Sequence, residues 1–375
     1  MRTVRIGVVH AGWVVVLALA ALPAAAQQAA QKPDPPPEKR FTLWGVGQVD
    51  YRRAAGEVPE AAPEHEFHLR RARFIFTGTI TERIAFNFSV QGNGVSENRV
   101  LDMNVDFTLT PWLKLRAGQN KYEFDIEGRE PFHANPFQDR SFAANAVAGG
   151  LNGASTASVP TSSFRDRGVG ALVSRQDRGL KWGFAAGAYQ GVGFALDNNS
   201  EFTLTVNANV ETHGLRLNGG YLYSPSADED APEKNDYSAW TLGFSYDKGR
   251  LLVRGEYYDG ERERGATRED VSGFYLMGGV TLAKRLDLSA RYQWLNDGRF
   301  PEDDDRLSSV DLQARLFFDR KDRRSGTSLT AGVMLREADA GFNRGVTLLN
   351  DGRGAALTRG EDVEAVFLAR VQIRF

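Results

Sequence analysis

The amino-acid sequence predicts an all-β protein, a transmembrane antiparallel β-barrel of about 16 strands. Three observations favour this fold class. Apolar and polar residues alternate along most segments beyond residue 40, as in strands with one face in an apolar environment and the other in a polar one. Short and long connections alternate, as expected for short periplasmic turns and long extracellular loops. The 39 glycines and the 11% aromatic content favour strands over helices.

Residues 1–26 have the pattern of a secretory signal peptide, which predicts an exported protein. Two arginines precede an apolar stretch from Ile6 to Leu22, and Ala24 to Ala26 supply the small residues of a cleavage site. A single membrane anchor is the alternative interpretation. The polar, proline-rich residues that follow favour cleavage.

The remainder of the chain divides into a short linker and one large domain. Residues 27–40 contain four prolines and mixed charge, which predicts a short periplasmic linker that is either flexible or extended. Residues 41–375 form the predicted outer-membrane β-barrel, because period-two alternation begins there and no helical period is sustained.

Each predicted strand is a run of alternating apolar and polar residues bounded by turn-forming residues. In the last one, Phe367 and Val371 fall on one face, and Arg370 and Gln372 fall on the other. The predicted strands span residues 41–52, 66–81, 83–91, 99–110, 112–121, 167–176, 179–189, 200–211, 213–223, 236–247, 249–260, 269–283, 285–295, 306–319, 326–337 and 362–375.

The connections between these strands alternate in length. The predicted tight turns are at residues 81–82, 110–111, 212–214, 247–249 and 283–285. The predicted long loops are residues 53–65, 92–98, 122–166, 190–199, 224–235, 260–268, 296–305 and 338–361. A soluble β-sandwich has no reason to keep this alternation, whereas a transmembrane barrel with both termini on one side requires it.

Aromatic residues at the strand ends fit two interfacial girdles of a membrane barrel. Trp112 and Phe375 lie near the predicted periplasmic side. Near the predicted outer side lie Tyr51, Tyr221, Tyr223, Tyr257 and Trp294. Ordinary aromatic enrichment of strands is the alternative for any one of them. Together with polar inward faces, they favour contact with lipid.

The inward faces of the predicted strands are polar and carry more basic than acidic residues. A barrel of about 16 strands is wide enough to hold water. Basic side chains around water favour anions, so the pattern predicts an anion-preferring pore. Alternatively, these charges pair across strands, as Arg116 would with Asp102 or Asp106. The predicted pore-lining residues are Arg71, Arg73, Lys114, Arg116, Lys121, Arg216, Arg254, Arg291 and Arg315.

The longest connection, residues 122–166, predicts a segment that folds into the pore and narrows it. Loops of this length are usually functional or disordered, and this one has enough phenylalanine to pack against a wall. The alternative is an external loop over the rim or against a neighbouring subunit. The residues predicted to face the constriction are Asp125, Glu127, Arg129 and Arg140.

Composition argues against several other classes of protein. The absence of cysteine excludes thiol catalysis and cysteine-ligated zinc, and five histidines make a histidine-rich metal site improbable. No G-x-S-x-G motif occurs, so we expect no enzyme, no bound metal and no cofactor. A net charge of −2 predicts no nucleic-acid binding. A surface barrel that binds divalent cations through Asp228–Asp230 and Asp303–Asp305 remains an alternative.

Two stretches carry a resemblance to a known family. Residues 68–80 contain Arg70-Arg71-Ala72-Arg73, and residues 101–130 contain an acidic-apolar strand followed by LKLRAGQNKYEF. These stretches resemble the phosphate-selective porin O and P family of Gram-negative outer membranes. The resemblance implies a homotrimeric channel, surrounded by outer-membrane lipid and lipopolysaccharide, through which small anions such as phosphate or pyrophosphate diffuse.

The resemblance also implies roles for particular residues. Arg71, Arg73, Arg116 and Lys121 correspond to the family's motif strands. The terminal Phe375 resembles the signal that the β-barrel assembly machinery reads. The chain departs from the phosphate-specific members in having nine lysines against thirty-seven arginines. A non-selective general porin is therefore the alternative to an anion-selective channel.

Overall fold

The computed structural model describes residues 41–55, 65–93, 96–148, 165–190, 202–225, 235–264, 267–298, 306–320, 324–338 and 364–375. The predicted signal peptide, the predicted linker and the acidic stretches at 228–230 and 303–305 lie outside these residues. Within the described part, no helix is both long enough and apolar enough to cross a membrane.

Sixteen strands pair antiparallel with their neighbours in chain order, and β1 pairs with β16 to close a barrel. The predicted fold class is therefore confirmed. In order, β1 to β16 are Phe41–Ala55, His65–Thr81, Ile84–Asn93, Ser96–Thr110, Leu113–Lys121, Arg165–Asp177, Leu180–Tyr189, Thr203–Thr212, Leu215–Ser224, Asn235–Lys248, Leu251–Arg264, Thr267–Ala283, Leu286–Asp297, Arg306–Arg320, Gly326–Ala338 and Glu364–Arg374. A short helix, α1 (Ile126–Arg129), and a π-helical turn, Ala144–Ala148, follow β5.

Two connections that the sequence predicts to be long are short. Only residues 94–95 separate β3 from β4, and only residues 265–266 separate β11 from β12. The prediction of long loops at 92–98 and 260–268 is therefore wrong. Strand pairing continues through these polar stretches. Above the lipid, backbone pairing no longer requires an apolar outer face, so the strands extend without the alternation that identifies them elsewhere.

Two of the tight turns have the backbone that a two-residue hairpin requires. Arg178 and Gly179 both have positive φ, at 46° and 88°, and His213 and Gly214 have φ of 50° and 90°. Positive φ at both central residues is the mark of a type I′ turn, whose twist matches that of the strands. The glycine at the second position therefore follows from the short connection.

The two faces of the wall differ in chemistry as the alternation predicts. Along β8, Leu204 and Val206 are exposed on the outside, whereas Thr205 and Asn207 are buried on the inside. Large apolar side chains are exposed on the outer face of nearly every strand. An outer surface of this kind is stable in lipid, whereas its exposure to water is unfavourable in free energy.

A charge on this outer face tests that assignment. We expect Val206→Asp to destabilise the barrel by up to about 2 kcal/mol, because the carboxylate would enter the hydrocarbon. The control is Asn209→Asp on the same strand, since Asn209 lines an internal cavity. Unfolding in lipid vesicles measures both, and an equal loss of stability in the two variants would contradict a lipid-facing Val206.

The barrel closes at a seam between β1 and the C-terminal residue. Gly45 and Phe375 exchange backbone hydrogen bonds at 2.8 and 3.2 Å. A Cβ on Gly45 would lie 2.4 Å from the Phe375 ring and 2.9 Å from the backbone carbonyl oxygen of Arg73, so this position requires glycine. The Phe375 ring also contacts Phe74 with centroids 5.8 Å apart.

Candidate functional site: the lumen and the 122–148 segment

The residues from Tyr122 to Ala148, here called the 122–148 segment, contact strands on opposite sides of the closed barrel. Their side chains and carbonyl groups bond with β1, β2, β8, β9, β11, β13, β14 and β16. The segment therefore spans the space that these strands enclose.

The charge of the 122–148 segment is opposite to that of the wall it contacts. The segment contains five acidic and two basic residues, a formal charge of −3. Six of the strand residues that bond to it are arginines. These are Arg52, Arg70, Arg254, Arg291, Arg315 and Arg370. The segment thus acts as the counter-charge for an arginine-rich inner wall.

Glu130 forms the first of three ionic anchors. Its carboxylate accepts two hydrogen bonds from Arg254, at 2.6 and 2.8 Å, and a third from Arg324 at 3.0 Å. The Lys121 ammonium donates to the carbonyl oxygens of Arg129 and Glu130. Burial alone would raise the pKa of Glu130, but Arg254, Arg324 and Lys121 outweigh it and lower that pKa to about 2.

Asp139 forms the second anchor, at β1 and β2. It accepts hydrogen bonds from Arg70 and from Arg52, the latter at 3.2 Å. Arg370 donates to the carbonyl of Gln138 at 2.9 Å. Burial raises the pKa of Asp139, but the guanidinium groups of Arg70 and Arg52 hold it below its ordinary value. This carboxylate therefore stays ionised although it is buried.

Glu127 forms the third anchor, at β13. Arg291 lies 3.5 Å from its carboxylate and 2.7 Å from that of Asp311. Ser141, farther along the same segment, donates its hydroxyl and its backbone N–H to Glu127. All three charged side chains are at most 2% exposed. This anchor is therefore a desolvated ionic cluster.

Aromatic side chains complete the contact with the wall. The Phe132 ring lies between the guanidinium groups of Arg71 and Arg140, at 3.8 and 4.0 Å. Arg291 lies 4.4 Å above the Phe137 ring. Stacking on arginine faces allows an apolar ring to pack against a charged wall.

At its start, the segment approaches the wall so closely that a side chain would not fit. The carbonyl oxygen of Phe124 lies 2.1 Å from the position that a Cβ on Gly220 would occupy. Asn207 donates to the same carbonyl at 2.6 Å. Gly220 therefore allows the backbone to dock against β9, and the asparagine satisfies the buried carbonyl.

The space that the segment leaves open is a cavity of about 1070 Å³ on the side of β1–β11. Ten basic and six acidic side chains line it, an excess of four positive charges among the described residues. The basic ones are Arg73, Lys114, Arg116, Lys121, Arg129, Arg165, Lys181, Arg216, Arg254 and Arg324.

Some of these cations are neutralised by neighbours. Arg116 makes a two-pronged pair with Asp106 at 2.7 and 2.9 Å, directly across the β4–β5 ladder. Arg165 pairs with Asp102 at 2.8 Å. Arg129 pairs with a carboxylate of its own segment at 2.9 Å.

Four other cations of the cavity have no carboxylate at ion-pair distance among the described residues. They are Arg73, Lys114, Lys121 and Arg216. Arg73 donates to the amide oxygen of Gln91, which is uncharged. Lys121 donates to backbone carbonyls. These four side chains carry the uncompensated positive charge of the cavity.

The structure thus divides the residues that the sequence predicts to line the pore. Arg73, Lys114, Arg116, Lys121, Arg216 and Arg254 line the open cavity, as does Arg129 of the loop. Arg71, Arg291 and Arg315 lie under the 122–148 segment instead, because its carbonyls, carboxylates and rings cover them. Asp125, Glu127 and Arg140 are buried within the same contact.

Sequence reasoning missed the partners that hold the segment. Glu130 and Asp139 are two of its three acidic anchors, and Arg324 reaches Glu130 from the β14–β15 turn. Nothing local distinguishes these residues from solvated charges. The one available signal is the acidic excess of the segment itself, opposite a basic inner face.

Comparisons with known proteins agree with this architecture. The sequence of residues 14–299 matches the family model described as Gram-negative porin. The fold is similar to an anion-selective porin from Comamonas acidovorans, with a TM-score of 0.66 and 13% identity over 90% of this chain and 100% of that one.

Two other solved structures are similar at comparable identity. The trimer form of OmpT, an outer membrane protein of Vibrio cholerae, has a TM-score of 0.58 and 12% identity over 90% of this chain and 99% of that one. OmpF of Salmonella typhi, in complex with daunomycin, has a TM-score of 0.56 and 12% identity over 89% and 98%. No curated protein matches the sequence.

The family model covers about three quarters of the chain, and the closed barrel has an apolar outer face and a charged lumen. The chain therefore belongs to the Gram-negative porin family and is an outer-membrane channel protein.

Proposed function

We propose that the protein is a passive diffusion channel that prefers small anions, and that the 122–148 segment narrows its pore. The observation that carries this proposal is the set of four cations, Arg73, Lys114, Lys121 and Arg216, that line the cavity without a carboxylate partner. Solutes cross without chemistry or energy input. The cations raise the local concentration of anions, and added salt screens this effect.

The way in which the 122–148 segment is held supports the proposal that it limits the size of the solutes that pass. Its three ionic anchors hold it against β11, β13 and β1–β2, and the open cavity lies beside it. A segment fixed at several separated points keeps a defined aperture. Phosphate and related oxyanions are the substrate class that we favour, because guanidinium and ammonium groups bind them well.

The first experiment measures the zero-current potential across a KCl gradient in a planar bilayer. We expect a chloride-selective potential that declines as ionic strength rises. A cation-selective potential would reject the anion preference while leaving the channel intact. An unselective potential at low salt would favour the alternative of a general porin.

Two of the four cations give a sharper test. We expect Lys114→Gln with Arg216→Gln to remove about half of the anion preference, since two of four excess charges are lost. The matched control is Arg175→Gln with Lys248→Gln, which changes the net charge equally at exposed positions outside the cavity lining. Equal effects from both pairs would assign the selectivity to total charge instead of the cavity.

We further propose that the channel is a homotrimer. The trimer form of the Vibrio cholerae protein with the same fold supports this proposal. We also infer that Phe375, exposed at the end of β16, is recognised during assembly. Chemical cross-linking in native membranes tests the first point, because a trimer gives a ladder that stops at three subunits.

A further inference from the structure

Four acidic and phenolic side chains meet where the 122–148 segment leaves β5, and the channel function uses none of them. Asp125 and Glu256 are carboxyl groups, and Tyr258 and Tyr275 are phenols, all at most 2% exposed. The Tyr258 hydroxyl oxygen lies 3.0 Å from a carboxyl oxygen of Asp125 and 3.0 Å from one of Glu256. Tyr275 donates to Glu256 at 2.8 Å.

Counting the hydrogens available for these bonds indicates that one of the two carboxyl groups is protonated. A tyrosine hydroxyl donates one hydrogen, so Tyr258 bonds both carboxyl groups only if one of them is protonated and donates to it. Glu256 is the better anion, because it accepts two backbone N–H groups, from Ile126 and Glu127 at 2.7 and 2.9 Å, whereas Asp125 accepts one, from Gly128 at 2.9 Å. The proton therefore belongs on Asp125, and burial also raises the pKa of that carboxyl group.

The surrounding charges do not replace this proton. Arg140 interacts with Asp125, but its guanidinium donates to the carbonyls of Glu127, Gly128 and Glu130. Arg216 acts on Glu256 only from a distance, and Arg254 is committed to the Glu130 carboxylate. Glu127, which faces the pair from the segment, is itself an acid bound by Arg291.

We propose that Asp125 and Glu256 form a pH-sensitive latch, which holds the start of the 122–148 segment to the wall while they share one proton and releases it when that proton is lost. The inference rests on the proposed role of the segment as the constriction. Two adjacent buried anions repel each other, and Tyr258 then has one proton for two carboxylates.

The direction of the movement follows from the space around the latch. The wall of β11 lies on one side of the segment, and the open cavity, which Ile126 lines, lies on the other. A released start of the segment therefore moves into the cavity and narrows it. Asp125 is an acid with a raised pKa, so docking is strongest at low pH, where this carboxyl group is protonated. Docking weakens as the pH rises through the pKa that Asp125 has in the folded protein.

The experiment records single-channel conductance of the full channel between about pH 5 and about pH 9. We expect the conductance of the wild type to fall in a reversible step as pH rises. Asp125→Asn mimics the protonated acid, since its amide donates a hydrogen to Tyr258, and should keep high conductance across the range. The matched control, Glu123→Gln in the same segment, should keep the step, because Glu123 already has arginine partners.

A second readout does not depend on conductance. Infrared difference spectra of the folded protein should show a protonated carboxyl band that disappears as pH rises in the wild type and is absent from Asp125→Asn. A wild type without a pH step, or a step that persists in Asp125→Asn, would overturn the latch. If the barrel does not conduct at all but the band titrates as expected, the proposed channel function fails and the shared proton stands.

Discussion

Replacing residues 126–147 by a short glycine–serine linker is expected to raise the single-channel conductance several-fold and to increase anion selectivity. The conductance rises because the segment fills the part of the lumen next to β11–β16. The selectivity rises because Glu127, Glu130 and Asp139 would be removed together with only two arginines of the segment, a net loss of one negative charge. Arg254 would then lose the carboxylate of Glu130, and Arg70 would lose that of Asp139.

A charge-only variant separates the two effects. Glu123→Gln removes one acidic charge at a residue that belongs to none of the three anchors and keeps the volume of the segment, so selectivity should rise with little gain in conductance. Zero-current potential and conductance are measured on the same channels. A linker variant with lower anion selectivity than the wild type would contradict the view that the segment neutralises an arginine wall.

The buried cluster around Arg291 should dominate the stability of the docked segment. We expect Arg291→Ala to cost about 3–5 kcal/mol, because Asp311 and Glu127 would be left as buried anions without a cation. Equilibrium unfolding in lipid vesicles measures the loss. Limited proteolysis of the folded channel should cut the 122–148 segment faster in this variant.

Two matched variants define what the large loss means. Lys181→Ala breaks an ion pair with Glu211 whose partners are about half exposed and 4.0 Å apart, so it should change stability by less than about 1 kcal/mol. Arg291→Lys keeps the charge but loses the planar fork, and an intermediate loss is expected. Equal losses in Arg291→Ala and Lys181→Ala would show that the buried cluster contributes no more to the free energy of unfolding than an exposed ion pair does.

Alternation in the sequence was sufficient to predict the wall of the barrel. Along β8, the exposed Val206 and the buried Asn207 follow directly from a two-residue period between lipid and lumen. The prediction failed at residues 92–98 and 260–268, where strands continue above the lipid. There the solvent is the same on both faces, so nothing in the residue pattern marks the strand.

The lumen was predictable as a set of charges but not as a network. Local pairing across a ladder, as for Arg116 and Asp106, can be read from strand register. The partners of the 122–148 segment cannot, because Glu130 and Arg254 are 124 positions apart. Where two distant segments meet depends on the whole fold, and a single sequence contains no signal for it.

The seam between β1 and β16 determines the order in which this wall can form. Gln48 bonds Gln372 across it, although 324 positions separate them in the chain. Until β16 arrives, β1 has a free edge whose N–H and C=O groups cannot be hydrated in hydrocarbon. Contacts of such long sequence separation form slowly. Insertion and closure must therefore be coupled, and an unclosed intermediate depends on another protein or on water to cover its two edges.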